Sequence, residues 1–504
     1  MTSYFLGIDN GGSVTKAVIF DAQGNEMAAA SERVPVLRPF PGATERDMEA
    51  LWQANLHVVR QALSRSGLTG AQIAGVACTG HGKGLYLWGD DGRPACHGIV
   101  STDSRAWQYP LLWQKDGTAA KVFPKTMQMP LACQPIALWR WFQEHQPEVL
   151  RRVRWVFPVK DYIRFRLTGE AFAEVTDYSG TSLMNLAEAA FDVEVMQAFG
   201  VADMADKLPP LRYSTDPCGR IIPDVAALTG LAAGTPVAAG MFDIDACAVA
   251  MNVTDETRLC IIAGTWGINE YISREPVLDQ SIKMNSLFCL PGYYLIEESS
   301  PTSARNNEWF SELFLANEKQ QAAELGISLY ALAEEMAAAV GADEQGILFL
   351  PFLYGSNDNP RTKACFIGLD SAHTRPHLVR AVLEGIVLSH RVHDERLLAN
   401  RRVPPVAIRL GGGAANNLTW AQIFADVLGL PVEIIDTGEL GALGCAMAAA
   451  VASGVYEDLP AAARAMVRVK ARLQPDPAKK AVYDRKYARF VQAARLLDSL
   501  WSDV

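Results

Sequence analysis

The stretch from Phe5 to Asp21, F-L-G-I-D-N-G-G-S-V-T-K-A-V-I-F-D, constrains this chain more than any other. Leu6, Ile8, Val18 and Phe20 supply the apolar positions of two short strands. Gly11 and Gly12 between them supply a tight turn whose backbone can approach a ligand closely. Asp9 ends the first strand, where a carboxylate can hold a water of a hydrated Mg²⁺. Ser13, Thr15 and Lys16 add hydroxyls and a cation beside the turn amides. Together these groups suit the β- and γ-phosphates of ATP.

Composition bounds the rest. A chain of 504 residues is too long for one core and predicts two or three domains. A net charge of −10 argues against nucleic acid as the main partner. The nine cysteines are scattered, odd in number and without a C-x-x-C pair. That argues against a disulfide framework or zinc ribbon and fits a reducing compartment. No apolar run reaches membrane-spanning length, and no basic segment followed by an apolar one opens the chain. The expectation is a cytoplasmic enzyme with no membrane partner.

Strand-like and helix-like stretches alternate, which predicts α/β architecture. Leu51 to Ser66 reads as an amphipathic helix, Ile73 to Thr79 as a strand, and Thr235 to Met241 as a strand entering a glycine turn. Leu259 to Ile272, L-C-I-I-A-G-T-W-G-I-N-E-Y-I, echoes the opening hairpin, with Gly264-Thr265 in its turn. The economical explanation is two related domains, 1–242 and 243–504, each offering a hairpin to phosphate. Pro475 to Leu500 reads as a charged helix with Tyr483, Tyr487, Phe490 and Leu497 at helical spacing.

Three further segments carry chemistry. In Ala239-Gly-Met-Phe-Asp-Ile-Asp-Ala, Asp243 falls where a strand gives way to a helix, so the helix N-terminus keeps it ionised. Such a carboxylate suits a base that takes a hydroxyl proton during phosphoryl transfer. Asp245 competes for that role, and residues two apart on a helix do not share a face. Arg409 to Gly429 reads as a strand end, three glycines and an amphipathic helix packed through Trp420, Ile423, Phe424 and Val427. With Asn416 and the downstream Glu439-Leu-Gly-Ala-Leu-Gly-Cys-Ala, it makes a candidate nucleotide-base site. Thr79-Gly-His-Gly-Lys-Gly and Ser101-Thr-Asp-Ser-Arg offer His81, Lys83, Asp103 and Arg105, a donor and acceptor mix that fits a polyhydroxylated neutral ligand. His390-x-x-His393 lacks a third metal ligand nearby and reads as a solvated or partly buried pair.

Together these elements resemble the FGGY family of carbohydrate kinases over essentially the whole chain. Asp9 to Lys16 is similar to the family's first phosphate motif, Gly264-Thr265 to its second, and Gly411 to Asp426 to its adenosine motif. Lys160 to Gly169, with Asp177 and Ser179, also looks family-like. Asp243 falls on the position of the family's catalytic aspartate. The resemblance implies two actin/ribonuclease H-like domains flanking a catalytic cleft, and Mg²⁺-ATP as phosphoryl donor. Asp9 would position the metal through water, and Gly11, Gly12, Ser13, Thr15, Lys16, Gly264 and Thr265 would hold the phosphates. Gly412, Gly413 and Asn416 would sit at the adenosine, and His81, Lys83, Asp103, Arg105 and Asp243 at a small sugar or polyol. Dimers are frequent in the family, so a homodimer is among the expected assemblies. The Gly-x-Gly-Lys-Gly loop and Ser299 to Phe310 look most like the L-xylulose kinases. A linear polyol such as erythritol is an alternative acceptor, and a catalytically silent actin-like ATP-binding sugar sensor is the alternative class.

Overall fold

The computed structural model describes residues 3–343, 346–356 and 358–501. The chain forms two compact units, and neither is continuous in sequence. Met1–Thr254, Ile272–Ile296 and Glu439–Val467 make the first; Asp255–Tyr271, Glu297–Gly438 and Arg468–Val504 make the second.

The first unit is built on a six-stranded sheet. Its strands are β1 (Tyr4–Asn10), β2 (Val14–Asp21), β3 (Glu26–Arg33), β4 (Ile73–Gly80), β5 (Pro217–Arg220) and β6 (Pro236–Ala238). They lie in the order β5-β6-β4-β1-β2-β3. The opening hairpin is antiparallel, with Asp9 opposite Lys16. On its other side β1 runs parallel to β4, with Asp9 opposite Thr79. The helix Met48–Ser66 starts where the Asp47 carboxylate accepts the Glu49 and Ala50 amides, and it ends at Gly67 in the left-handed conformation. It buries Leu51, Val58, Val59 and Ala62 against β2 and β3.

A second, seven-stranded sheet repeats the plan with one edge strand more. After the edge strand Met284–Leu287, its strands β7 (Arg258–Ala263), β8 (Gly267–Ser273), β9 (Tyr294–Ser300), β10 (Ala407–Gly412), β11 (Val432–Ile435) and β12 (Val469–Leu473) follow in the order β9-β8-β7-β10-β11-β12. Here too the first strand of an antiparallel hairpin has a parallel neighbour on its other side, β10 beside β7. In both sheets a further parallel strand and a closing antiparallel strand follow. The hairpin echo read from the sequence is therefore a repeat of sheet topology. The closing helix Lys480–Asp498 buries Tyr483 and Phe490.

The helix Leu440–Ala452 is almost entirely small and apolar, and it belongs to the first unit. A Cβ at Gly7 would sit 2.0 Å from the Ala442 carbonyl oxygen. A Cβ at Gly444 would sit 2.3 Å from that of Ala246. The helix thus lies directly on β1 and on the helix Asp243–Ala250. The Glu439 to Ala446 run, expected beside the three-glycine turn at a base site, spends its glycines on this packing. Among the described residues no helix is long and apolar enough to cross a membrane.

Gly7→Val and Gly444→Val are expected to lose about 1–3 kcal/mol of stability or to fail to fold, because the clash is with backbone. Gly12→Ala, at a position with nothing within 4 Å, should leave urea unfolding unchanged.

Candidate active site

The tip of the first hairpin is open. Gly11 is half-buried, while Gly12 and Ser13 are exposed. Thr15 is not at the tip surface: its hydroxyl is fully buried and donates to Asn10 Oδ1 at 3.0 Å and Asn55 Oδ1 at 3.2 Å. Lys16 forms an ion pair with Glu439 at 2.9 Å. Asp9 lies against Gly441, where a Cβ would come within 2.8 Å of its Oδ2. Burial pushes the Asp9 carboxyl up to about 6, with Lys16 opposing the shift and Glu439 adding to it.

The Ala239–Asp243 turn leads into the helix Asp243–Ala250, whose first residue is Asp243 itself. Gly240 has φ +78°, and a Cβ there would sit 1.9 Å from the Cys78 carbonyl oxygen, so the turn requires glycine. The Thr79 hydroxyl donates to the Met241 carbonyl at 2.7 Å. The two carboxylates of this helix are separated by their surroundings. Asp243 is partly exposed, whereas Asp245 is fully buried and its Oδ1 accepts the Cys289 amide at 2.9 Å. Asp243 is the one of the pair that a ligand can reach.

The 79–84 loop comes to the same place. Gly82 faces the Phe242 ring so closely that a Cβ would lie 2.3 Å from it. Lys83, at φ 62°, holds its Nζ 5.4 Å from the centre of that ring. His81 is buried, with Nε2 3.0 Å from the Tyr86 hydroxyl. Burial first, and the Arg46 charge second, push its imidazole down to about 3, so it is neutral at physiological pH. The structure thus packs Gly82 and Lys83, next to His81 in sequence, against Phe242, the residue before Asp243.

Asp103 and Arg105 are placed differently from the expectation of free donor and acceptor groups. They bond each other at 2.8–3.0 Å, Asp103 also accepts the Thr44 amide, and Arg105 reaches Glu45 at 2.7 Å. The guanidinium lies over Phe40 and Trp141. Next to this pair is a residue that sequence reasoning missed. Arg46 is fully buried, and its Nε, Nη1 and Nη2 have no hydrogen-bond partner among the described residues. Nothing in Glu45-Arg46-Asp47 marks the central residue as buried, since such a charge run ordinarily reads as solvated.

In the second unit, Gly264, Thr265 and Trp266 form the turn between β7 and β8. The Gly264 amide, expected to meet a phosphate, donates to the Trp266 carbonyl at 3.1 Å in this structure. Thr265 and Trp266 are exposed. Gly412, at φ +78°, packs so tightly that a Cβ would sit 2.5 Å from the Ala263 carbonyl oxygen. The three-glycine turn and the second hairpin turn are therefore adjacent. Gly413 and Asn416 are exposed, and Asn417 rather than Asn416 caps the following helix, accepting the Trp420 amide at 2.7 Å. His390 and His393 are both buried and separately engaged. His390 bonds Asn269 and Ser303 at 2.6 and 2.8 Å, and His393 bonds Glu298 at 2.9 Å.

The family model for the FGGY family of carbohydrate kinases, N-terminal domain, matches residues 4–250, and that for the C-terminal domain matches residues 259–453. The chain belongs to the FGGY family of carbohydrate kinases. It is 36% identical over 493 residues to the L-xylulose/3-keto-L-gulonate kinase of Escherichia coli (strain K12), covering 97% of this chain and 96% of that protein. It is 34% identical to a probable L-xylulose kinase of Pasteurella multocida (strain Pm70), covering 99% and 100%. The crystal structure of xylulose kinase from Rhodospirillum rubrum superposes with a TM-score of 0.87 at 26% identity, covering 99% of each chain. That of gluconate kinase from Lactobacillus acidophilus gives 0.89 at 22% identity over the whole of both chains, a likeness of fold. The protein is a two-domain carbohydrate kinase that phosphorylates a small sugar with ATP.

One consequence for the kinase concerns Asp9. Its folded-state pKa lies above the ordinary 3.8, so ionising it opposes folding. That stability is present below about pH 4 and is lost as pH rises through about 6. Asp9→Asn is expected to unfold like the parent at pH 4 and later than it at pH 8. The gain is about 1–2 kcal/mol once partial exposure is discounted. Thermal unfolding at the two pH values checks this.

Proposed function

We propose that this kinase phosphorylates a terminal hydroxyl of a ketopentose, with L-xylulose as its acceptor, from Mg²⁺-ATP. The observation that carries this reading is the meeting of an accessible helix-start carboxylate, Asp243, with the His81–Lys83 loop at Phe242. The two relatives cited above support the acceptor, since both carry L-xylulose in their names.

In this reading Asp243 takes the hydroxyl proton as the acceptor oxygen attacks the γ-phosphorus. A P–O bond forms to the acceptor, the bond to the β,γ-bridging oxygen breaks, and ADP leaves. Its place at a helix N-terminus favours negative charge on Asp243. Lys83 donates to acceptor hydroxyls, and His81, being neutral, contributes polarity without charge. Gly11, Gly12 and Ser13 are the first unit's groups for phosphate, and Thr265, with Gly412, Gly413 and Asn416 for the adenosine, are the second unit's. Asp9 fits Mg²⁺. It is a carboxylate at a strand end, held up in pKa by burial, so a cation beside it is favourable, and Mg²⁺ keeps several waters and takes one or two carboxylates. The ion would neutralise charge on the β- and γ-phosphate oxygens. Lys16 and Glu439, already paired, would flank it.

Arg46 favours a second acceptor class. A buried guanidinium without a partner is costly, and this one acts on His81 strongly enough to lower its pKa. A carboxylate-bearing ketose, a sugar acid, would supply the missing anion once acceptor binding opens the enclosure around Arg46, which is fully buried here. The E. coli relative bears such a compound in its name.

A coupled ADP-release assay over L-xylulose, other ketopentoses, 3-keto-L-gulonate, pentitols, erythritol and glycerol tests both parts. L-Xylulose should be preferred over erythritol and glycerol by at least about tenfold in kcat/KM. Arg46→Gln should lose activity on the acid by about 10- to 100-fold, the value of one charge-assisted contact, and keep activity on L-xylulose. Preference for erythritol would overturn the ketopentose assignment, and unchanged acid activity in Arg46→Gln would remove the second reading.

A further inference from the structure

A buried polar chain runs from Lys160 to the turn that carries Asp243. Lys160 Nζ lies 2.7 Å from Asp161 Oδ1 and 3.2 Å from Glu174 Oε2, all three side chains fully enclosed. Glu174 Oε2 accepts the Thr176 hydroxyl proton at 2.7 Å. Glu174 Oε1 accepts the Thr176 amide and the Ser214 hydroxyl. The Thr176 oxygen in turn accepts the Phe242 amide at 2.9 Å. That amide stands one residue before Asp243. From the same cluster Arg164, which bonds Asp161, donates to the Ala239 carbonyl at 2.8 Å. Two backbone groups of the 239–242 turn are therefore held by this cluster, and Phe242 also forms the floor of the His81–Lys83 loop.

The Thr176 hydroxyl is used twice over, its proton on Glu174 and a lone pair on Phe242. No apolar side chain of that shape can replace it, and the Phe242 amide sits in a turn with its side chain buried. We propose that Thr176, oriented by Glu174 and Lys160, is a positioning residue for Asp243: it sets the peptide from which the base projects and the surface on which the acceptor loop rests. The proposal rests on the reading of Asp243 as base. Phosphoryl transfer depends on alignment, so a displacement of the base well under the length of a bond is read as lost turnover.

The test compares Thr176→Val, Thr176→Ser and Asp243→Asn in steady-state kinetics with L-xylulose and in ATP binding by calorimetry. Thr176→Val is expected to lower kcat 10- to 100-fold, with the acceptor KM and the ATP Kd within about threefold of the parent. Thr176→Ser, which keeps the hydroxyl, should recover kcat to within a few-fold. A purely structural role would lower the melting temperature or the active fraction and leave kcat per active site unchanged. If Thr176→Val does not fold, Thr176→Cys keeps the volume with a weaker hydrogen bond and should show an intermediate loss of kcat. A folded Val or Cys variant with parental kcat overturns the proposal, as does a Ser variant no better than Val. Asp243→Asn separates the two readings. An inactive Asn variant beside a fully active Val variant removes the positioning role alone, whereas an active Asn variant removes the base reading on which it stands.

Discussion

The direct seating of the helix Leu440–Ala452 on β1 and on the helix Asp243–Ala250 is the constraint on which the first unit depends. Ordinary helix packing keeps axes 8–10 Å apart because side chains fill the gap. Here glycines at 7 and 444 remove that spacing, and backbone meets backbone. The consequence is functional geometry. The helix start at Glu439 comes up beside Lys16, and Gly441 comes up beside Asp9. One helix returning late in the chain thereby links the opening hairpin to the helix that begins with Asp243.

Charge is handled in the same unit by burying it in sets. Lys160 and Arg164 with Asp161 and Glu174 form a closed group, and Asp103, Arg105 and Glu45 form another. Such sets contribute little net stability over apolar packing, but removing one member leaves a buried charge unpaired. Their value lies in fixing backbone: the first set holds Ala239 and Phe242, and the second holds Thr44. Asp177, buried in the same region with both oxygens unpaired, is held well above the ordinary carboxylate range by burial, so the enclosed group stays near neutrality. Arg46 departs from this pattern, its guanidinium buried without a hydrogen-bond partner among the described residues.

Much of this was legible in the sequence because glycine leaves a strong mark. The Gly11-Gly12 and Gly264 turns gave both hairpins close to their observed ends, and the repeat between them extends over six strands of each sheet, the second sheet adding the edge strand Met284–Leu287. The family resemblance chose Asp243 over Asp245; the structure adds that Asp245 is buried and accepts the Cys289 amide while Asp243 is partly exposed. Thr15 shows where local reading stops. It lies on the strand face with Ala17 and Ile19, and the helix after β3 covers that face, so its hydroxyl turns to Asn10 and Asn55 instead of the turn. Asp103 and Arg105 are two apart and close on each other, which spacing alone does not reveal. The Glu439 run was read as ligand-facing for the same reason that makes it a packing helix: small residues admit either a ligand or a neighbouring backbone.

In the proposed reaction Asp243 takes the acceptor proton while Asp245 serves the fold. The most direct measurement is single-turnover formation of phosphorylated sugar by Asp243→Asn and Asp245→Asn, each at saturating ATP and L-xylulose, with ATP binding measured on the same samples. Asp243→Asn should bind ATP as the parent does and form product at least about 10²-fold more slowly, the scale of lost general-base catalysis. Asp245→Asn should lose stability and keep most of its turnover per folded molecule. Parental product formation by Asp243→Asn, or a catalytic loss confined to a folded Asp245→Asn, would contradict the account.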